Sequence, residues 1–571
     1  MKNLILVISF LSISCITFSQ STEYYFKFKI NDRSELNYLT QIISIDNVKD
    51  NEVYAYANQR EFARFIQLGY TYTSLPHPGS LINPKMSDEP SKIIMDWDVY
   101  PTYDAYVTMM NNFATTYPSL CRIVNAGPTV QSRAILFAVI SHNVNTHEAE
   151  PQFMYTSSMH GDETTGYVLM LRMINYLLTN YGTDPNVTNL LDHEEIWINP
   201  LANPDGTYHG GNNTVNGAQR YNANNIDLNR NYPNMQMGPH PDGQAWAIEN
   251  IDMMNVMAAN HFSLSCNFHG GEEVVNYPWD TWPRLHADDS WWIYISRQYA
   301  DTVHANSVPG YMTDLNNGIT NGYAWYVVYG SRQDYMTYYK HGREVTIELS
   351  HTKLMPQAQL PTYWNYNWKS MFHYMEKPLY GIRGSIKDSI TLAPIGKANV
   401  FIAGHDIDSS DMYSDSTFGM YYRMIKGGTY SITFSAPYYY SKTITGIYAK
   451  DDSATTLNVL LRPIAVPVVK SGREIPESFS LSQNYPNPFN PSTKIEFSLP
   501  VPSKGGVTLT IYDELGRKIA DLIPPLRGGQ EGLSPGTYSV DWNASNYASG
   551  IYFYKLVSGE FTETKKMVLI K

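Results

Sequence analysis

Cysteine is nearly absent from this chain: three occur in 571 residues, and one of them, Cys15, lies in the first apolar run. Only Cys121 and Cys266 remain beyond it, so no disulfide framework can staple the fold and packing has to hold it. Cys266 stands in an apolar strand-like run and reads as a buried thiol. An excess of cations is also missing, with 41 Lys and Arg against 53 Asp and Glu and a formal net charge of −12. This balance argues against nucleic acid or an anionic membrane surface as a partner and is compatible with attraction of basic peptides. After the first twenty residues no apolar run reaches the length of a membrane-spanning helix.

What is present begins with an address. Met1-Lys2-Asn3 followed by Leu4 to Phe18 has the basic start and apolar core of a secretory signal, with a cut expected near Ser19 or Gln20. Lipid anchoring at Cys15 is the competing reading, although Ser12-Ile13-Ser14 fits poorly before it. The rest is too long for one core. Residues 21–92 alternate strand-like and helix-like runs, YYFKFKI, SELNYLTQII, EVYAYA, REFARFIQLG and YTYTSL, a compact βαββαβ-like α+β pattern followed by Pro76, Pro78 and Pro84. Either a propeptide or a small accessory domain has this form.

The chemistry concentrates in residues 93–377. Gln152 to Met159 reads as a buried strand and Gly166 to Leu178 as a buried helix, which leaves His160-Gly161-Asp162-Glu163 on the turn between them. A second strand-like run, Phe262 to Phe268, ends at His269. Strand ends are where open α/β sheets place their ligands. His160, Glu163 and His269 together offer two imidazoles and a carboxylate, a three-ligand zinc set with the fourth position open. Hydrogen-bonded strand-end histidines are the competing explanation, since a short H-x-x-E match also arises by chance.

Further blocks follow in order: Asn203-Pro204-Asp205-Gly206, Arg220-Tyr221-Asn222 through Asp227-Leu228-Asn229-Arg230-Asn231-Tyr232-Pro233, His269-Gly270-Gly271 through Asn276-Tyr277-Pro278-Trp279-Asp280, Gly318 through Tyr326, and Glu344-Val345-Thr346-Ile347-Glu348-Leu349-Ser350. In order and spacing these blocks resemble the zinc metallocarboxypeptidases, and most closely the branch with carboxypeptidases N, E, D and M. The resemblance covers roughly Ile93 to Lys377. It implies one Zn²⁺ held by His160, Glu163 and His269, with Asp227 orienting the first histidine through its other ring nitrogen. It implies Glu348 as the general base, Arg220 beside the scissile carbonyl, and Arg230 gripping a free C-terminal carboxylate with Asn229 and Tyr326 as hydrogen-bonding companions. In the branch that cleaves C-terminal Lys and Arg an aspartate ends the Asn-Tyr-Pro block, and Asp280 stands at that position; Gln333 also resembles that branch. Asp280 as a cap of the turn Thr281-Trp282-Pro283 is the alternative. Departures from the branch are Ser331 and Arg332, where glycine and methionine are usual, and Glu272 and Glu273 beside the second histidine.

Residues 378–462 carry short strands spaced by Gly, Pro, Asp and Ser, among them Gly381 to Ile386, Ala398 to Ile402, Gly428 to Ile432 and Leu457 to Leu461. This spacing indicates a β-sandwich. By its position it resembles the transthyretin-like domain of the same branch, and it is assigned a folding role. A linker, 463–473, leads to residues 474–571, where Gln483-Asn484-Tyr485-Pro486-Asn487-Pro488-Phe489-Asn490-Pro491 and the ending Lys565-Lys566-Met567-Val568-Leu569-Ile570-Lys571 resemble the C-terminal sorting domain of the bacterial type IX secretion route. A substrate-binding module is the other reading of this second β-sandwich.

The expectation is therefore an α/β catalytic domain with a mixed, carboxypeptidase-like central sheet flanked by helices, an α+β N-terminal segment and two C-terminal all-β sandwiches. Function is expected to be zinc carboxypeptidase action on peptide or protein C-termini, preferring Lys or Arg. The chain would act as a monomer exported to the surface or medium of a Gram-negative bacterium through the type IX machinery. A peptidoglycan-stem or other zinc exopeptidase is the first alternative, and a non-catalytic surface peptide-binding protein the second.

Overall fold

The computed structural model describes residues 23–437, 439–464, 469–470, 475–501, 507–523, 533–545 and 547–571. The expected signal segment, Cys15 and most of the linker 463–473 lie outside them. No helix among the described residues is long and apolar enough to cross a membrane. The chain divides into two compact units, one running to Lys387 and including Pro394–Ala436 and Ser441–Val459, the other comprising Asp388–Ala393, Pro437–Tyr440 and Leu460–Lys571.

The centre of the first unit is an eight-stranded sheet. Its spatial order is Ile319–Asn321, Glu273–Tyr277, Arg343–Leu349, Phe262–His269, Gln152–Ser157, Glu195–Asn199, Ala134–Ile140 and Cys121–Pro128. The four strands from Arg343–Leu349 to Glu195–Asn199 run parallel, and antiparallel neighbours on both sides make the sheet mixed. The middle strands are apolar on both faces because helices cover both. Phe153, Tyr155, Leu264 and Ile347 face a core shared with helices Thr165–Asn180, Asp289–Asn306 and Leu360–Met375. Met154, Trp197 and Phe262 face the opposite core with Met253 and Met257 of helix Ile248–Ala259. The sheet ends that carry His269 and Glu348 are thereby fixed in a rigid frame.

The N-terminal segment forms an antiparallel sheet ordered Ser44–Lys49, Glu52–Ala57, Tyr24–Lys29 and Tyr72–Ser74. Helix Gln59–Ile66, opened by a capping box of Asn58 and Glu61, packs Phe65 on Phe26 and Phe28. Here the structure departs from the sequence reading. The run from Ser34 to Ile43 is helical only as a 3-10 turn, Arg33–Glu35, and one α-turn, Leu36–Leu39. Ser44–Lys49, not read as a strand, pairs along Glu52–Ala57. Burial of Ile42, Ile43, Ile45 and Val48 in the domain core favours an extended exit over a longer helix.

Between Gly381 and Thr456 two small sheets form, one from Met420–Arg423, Gly381–Asp388 and Ala454–Thr456, the other from Met412–Tyr413, Asn399–Ile402, Gly428–Ser435 and Lys442–Ala449. A buried ion cluster ties them to the eight-stranded sheet. Asp288 accepts from Arg343 Nη2 at 2.7 Å and from Arg423 Nη1 at 2.8 Å, while Arg423 Nη2 donates to Asp406 at 2.6 Å. Burial opposes the Asp288 charge, but Arg423 and Arg343 outweigh it and hold the carboxyl well below the usual range. Asp288→Asn leaves two buried guanidiniums short of an anion and is expected to cost about 3–5 kcal/mol in chemical denaturation. Because the folded carboxyl is depressed, that stability is complete above the unfolded value of about 3.9 and is lost as pH falls through the folded one. An unchanged midpoint in the variant at pH 7 would contradict the assignment.

The second unit packs two four-stranded sheets, Val469–Lys470, Gly536–Asn543, Ser492–Leu499 and Ser480–Leu481 in one, and Lys518–Ile523, Val507–Asp513, Gly550–Ser558 and Phe561–Leu569 in the other. Phe489, Phe497, Tyr538, Trp542 and Tyr554 fill the space between them.

Candidate active site

The turn after Gln152–Ser157 is held from outside. Asn203 donates from Nδ2 to the carbonyls of Met159 and Arg220, at 3.2 and 3.3 Å, and Thr207 donates to the carbonyl of Gly161. Asp162 accepts from Tyr56 at 2.7 Å. Held this way, His160 and Glu163 face His269, the last residue of its strand. His160 Nδ1 lies 3.0 Å from Glu163 Oε1, and His269 Nδ1 lies 2.8 Å from Glu163 Oε2 and 3.1 Å from His160 Nδ1. All three side chains are buried.

The donor set fits a divalent cation. His160 directs Nε2 at Asp227 Oδ1, 3.1 Å away. With a proton there, its Nδ1 lone pair faces the lone pairs of the Glu163 carboxylate, a conflict that a metal ion resolves. Burial and Arg220 pull the His160 imidazole down, but Glu163 and Asp227 outweigh them and hold it above its ordinary value. His269 is lowered to about 4, chiefly by burial, which keeps it neutral as a metal ligand must be. Burial would raise Glu163, yet His160, Lys353 and His269 hold it well below the carboxylate range.

Across the parallel pair of strands, Glu348 stands in register with His269. Glu348 Oε2 is buried and has no hydrogen-bond partner among the described residues. Burial first, and the nearby Glu163 second, push the carboxyl well above its usual range. Arg220 donates from Nε to Asp227 at 2.9 Å and reaches Glu163 at 3.3 Å. Asp227 also caps the turn Leu228–Arg230, which carries Asn229 and Arg230 into the same cleft. Tyr326 and Asp280 line it as well.

A model of the zinc carboxypeptidase family matches residues 106–370, and a model of the secretion system C-terminal sorting domain matches residues 483–571. Mouse carboxypeptidase M is 31% identical over 360 residues, 59% of this chain and 78% of that protein. This chain belongs to the zinc carboxypeptidase family. Human carboxypeptidase D is 33% identical over 374 residues, 62% of this chain and 26% of that protein, so the chain spans about a quarter of that relative's length. The catalytic chain of human carboxypeptidase N is 28% identical over 412 residues, 66% of this chain and 88% of that protein.

Within the carboxypeptidase cleft, Asp280 Oδ1 accepts from Asn276 at 3.1 Å and from Gln333 at 3.2 Å. Gln333 therefore reaches the cleft through Asp280 and does not line it. Gly322 packs directly on this carboxylate, since a Cβ there would fall 1.9 Å from Oδ1. Burial raises the Asp280 carboxyl, with partial relief from Ser331 and Asn276. Arg332, one departure from the branch pattern, is fully buried and forks onto Glu344 with two 2.9 Å hydrogen bonds.

Sequence reasoning missed two participants. Lys353 Nζ lies 2.7 Å from Glu163 Oε1 and 2.8 Å from the carbonyl of Gly270. The other is the N-terminal strand Ser44–Lys49. Ile45 presents its carbonyl to Arg230 Nη2 at 2.9 Å, and Asp46 Oδ1 lies 2.7 Å from Lys353 and 3.5 Å from Arg220. Tyr326 directs its hydroxyl at the carbonyl of Asp46, 3.4 Å away. About 30 Å³ of free space remains in the cleft. A larger cleft of about 850 Å³, lined by Arg122, Glu148, Glu195 and Tyr413, includes none of these groups.

Proposed function

We propose that the chain is an exported zinc carboxypeptidase that hydrolyses the last peptide bond of peptides or proteins, prefers C-terminal Lys or Arg, and is kept latent by its N-terminal domain. The observation that carries the reading is Glu348, whose buried Oε2 has no hydrogen-bond partner among the described residues, in register with His269 and sharing one cleft with Arg220 and Arg230. Zinc held by His160, Glu163 and His269 would polarise the scissile carbonyl and lower the pKa of water. The charge of that ion would return the Glu348 carboxyl, raised by burial and Glu163, to its ionised form, in which it takes the proton of the attacking water and returns it to the leaving amine. Arg220, fixed by Asp227, faces the negative charge that develops on the carbonyl oxygen. Arg230 grips the terminal carboxylate, a task that an endopeptidase has no use for.

Asp280 supports the basic preference. Its hydrogen-bond donors Asn276 and Gln333 are neutral, and Arg230 in the same cleft offsets its burial only in part, so the carboxylate has room for the cation that a substrate Lys or Arg brings. Release from peptides differing only in the last residue, with and without a chelator, tests the whole reading. Arg and Lys should leave far faster than Leu, and the chelator should abolish release. Asp280→Asn is expected to lower kcat/KM for C-terminal Arg about 100-fold while affecting Leu much less; equal losses would sink the assignment. The match over residues 483–571 supports delivery through the type IX route. Residues 378–462 are read as a transthyretin-like support for the catalytic sheet, through the Asp288 cluster.

A further inference from the structure

Glu272, beside the second histidine, is 1% exposed, and its carboxylate is covered from the N-terminal domain. Lys49 Nζ lies 3.2 Å from Oε1, and the Asn47 amide donates to Oε2. On the other side His351 Nε2 lies 2.8 Å from Glu272 and 2.6 Å from Asp314, with Nδ1 3.4 Å from Glu273. Three carboxylates thus surround one imidazole, and Lys49 supplies the second cation. Lys353, the other ammonium nearby, is engaged by Glu163 and Asp46.

Consecutive residues of one extended strand step along this cleft: Ile45 on Arg230, Asp46 at Arg220 and Lys353, Asn47 and Lys49 on Glu272. Ile45 and Lys49 are about 13 Å apart at roughly 3.3 Å per residue. A peptide whose terminal carboxylate replaces the Ile45 carbonyl on Arg230 has the same distance to cover before one of its side chains reaches Glu272. We infer that Glu272, with Asp314, forms an upstream subsite for a Lys or Arg side chain lying two to four residues before the C-terminal residue of the substrate. The inference rests on the carboxypeptidase reading above. Lys49 marks the chemistry the subsite takes, because its ammonium occupies that place when the N-terminal domain is docked. Departure of the domain leaves His351 as the sole cation against three acids, and a substrate ammonium restores the balance.

The test uses the full-length, zinc-loaded chain, cut by limited proteolysis between Leu75 and Glu89 and diluted so that the N-terminal domain dissociates. Alanine-based heptapeptides ending in Arg carry a single Lys or Glu at the second, third or fourth residue before that Arg. At one of these positions kcat/KM for Lys over Glu should be about tenfold, carried by KM because a contact remote from the bond changes uniform binding. Glu272→Gln should bring the ratio close to one, and Asp314→Asn, at the more exposed rim, should lower it in the same direction. A ratio near one at all three positions in the parent overturns the subsite, as does a ratio that neither variant moves, which leaves Glu272 as a latch for the N-terminal domain alone. Failure to release Arg from any peptide overturns the carboxypeptidase reading and this inference with it.

Discussion

Glu348→Gln is expected to bind zinc as the parent does and to lose about three orders of magnitude in kcat, the range of a positioned general base. The substitution preserves shape, and the three candidate metal donors His160, Glu163 and His269 stay untouched. In the metal-free chain removing the charge imposes no folding cost, because burial and Glu163 already oppose ionisation at this position. The variant should therefore melt at or above the temperature of the parent, which separates loss of chemistry from loss of structure. Oε2 has no partner to lose. Metal content by mass spectrometry, thermal melting and single-turnover release of Arg from one peptide decide the matter together. Near-parental turnover with full metal content would falsify the role, and loss of metal would move Glu348 into the support of the zinc ligands.

The grouping of His160, Glu163 and His269 was legible because they sit where buried strands give way to turns, and apolar runs of that kind are read directly from sequence. Glu348 was legible for the same reason: a charge near the end of EVTIEL demands an explanation. What sequence does not carry is register. That Glu348 stands opposite His269 follows from the parallel pairing of two strands far apart in the chain. Lys353 was missed because nothing local marks it, a lysine in a polar turn whose partners, Glu163 and Gly270, come from two other turns. Arg332 departs from the branch pattern, and its guanidinium is spent on Glu344 inside the fold. The strand Ser44–Lys49 was missed for a related reason. Its polar residues Asp46, Asn47 and Lys49 break the apolar alternation, and they do so because they face the cleft of another domain.

That strand sets the second large effect. In the intact chain, peptide hydrolysis is expected to be at least about 100-fold slower than after a single cut in the connector that follows Ser74. Substrate has to bind where Ile45 and Asp46 already engage Arg230, Arg220, Lys353 and Tyr326, and the space left is about 30 Å³, against the roughly 300 Å³ or more of an ordinary ligand pocket. Glu23 reinforces the dock by accepting from the backbone amides of Arg220 and Tyr221 at 3.0 Å each. While the connector is intact the plug acts at the high effective concentration of a tethered group, and cutting it makes the same contacts bimolecular and dilutable. Leu81 and Lys85 in the connector are exposed, so a protease can reach it. Asp46→Ala removes the carboxylate by which the N-terminal domain faces both Lys353 and Arg220, and should raise the activity of the uncut chain about tenfold or more by loosening the dock. The comparison is kcat/KM for one Arg-terminated peptide before and after cutting, at protein concentrations low enough for the fragment to leave. Addition of the separated fragment should restore inhibition, and the Asp46→Ala fragment should do so only at higher concentration. Equal activity in cut and uncut chains would make the N-terminal domain an accessory rather than a plug, and the contacts at Arg230 would then have to yield to substrate without any cut.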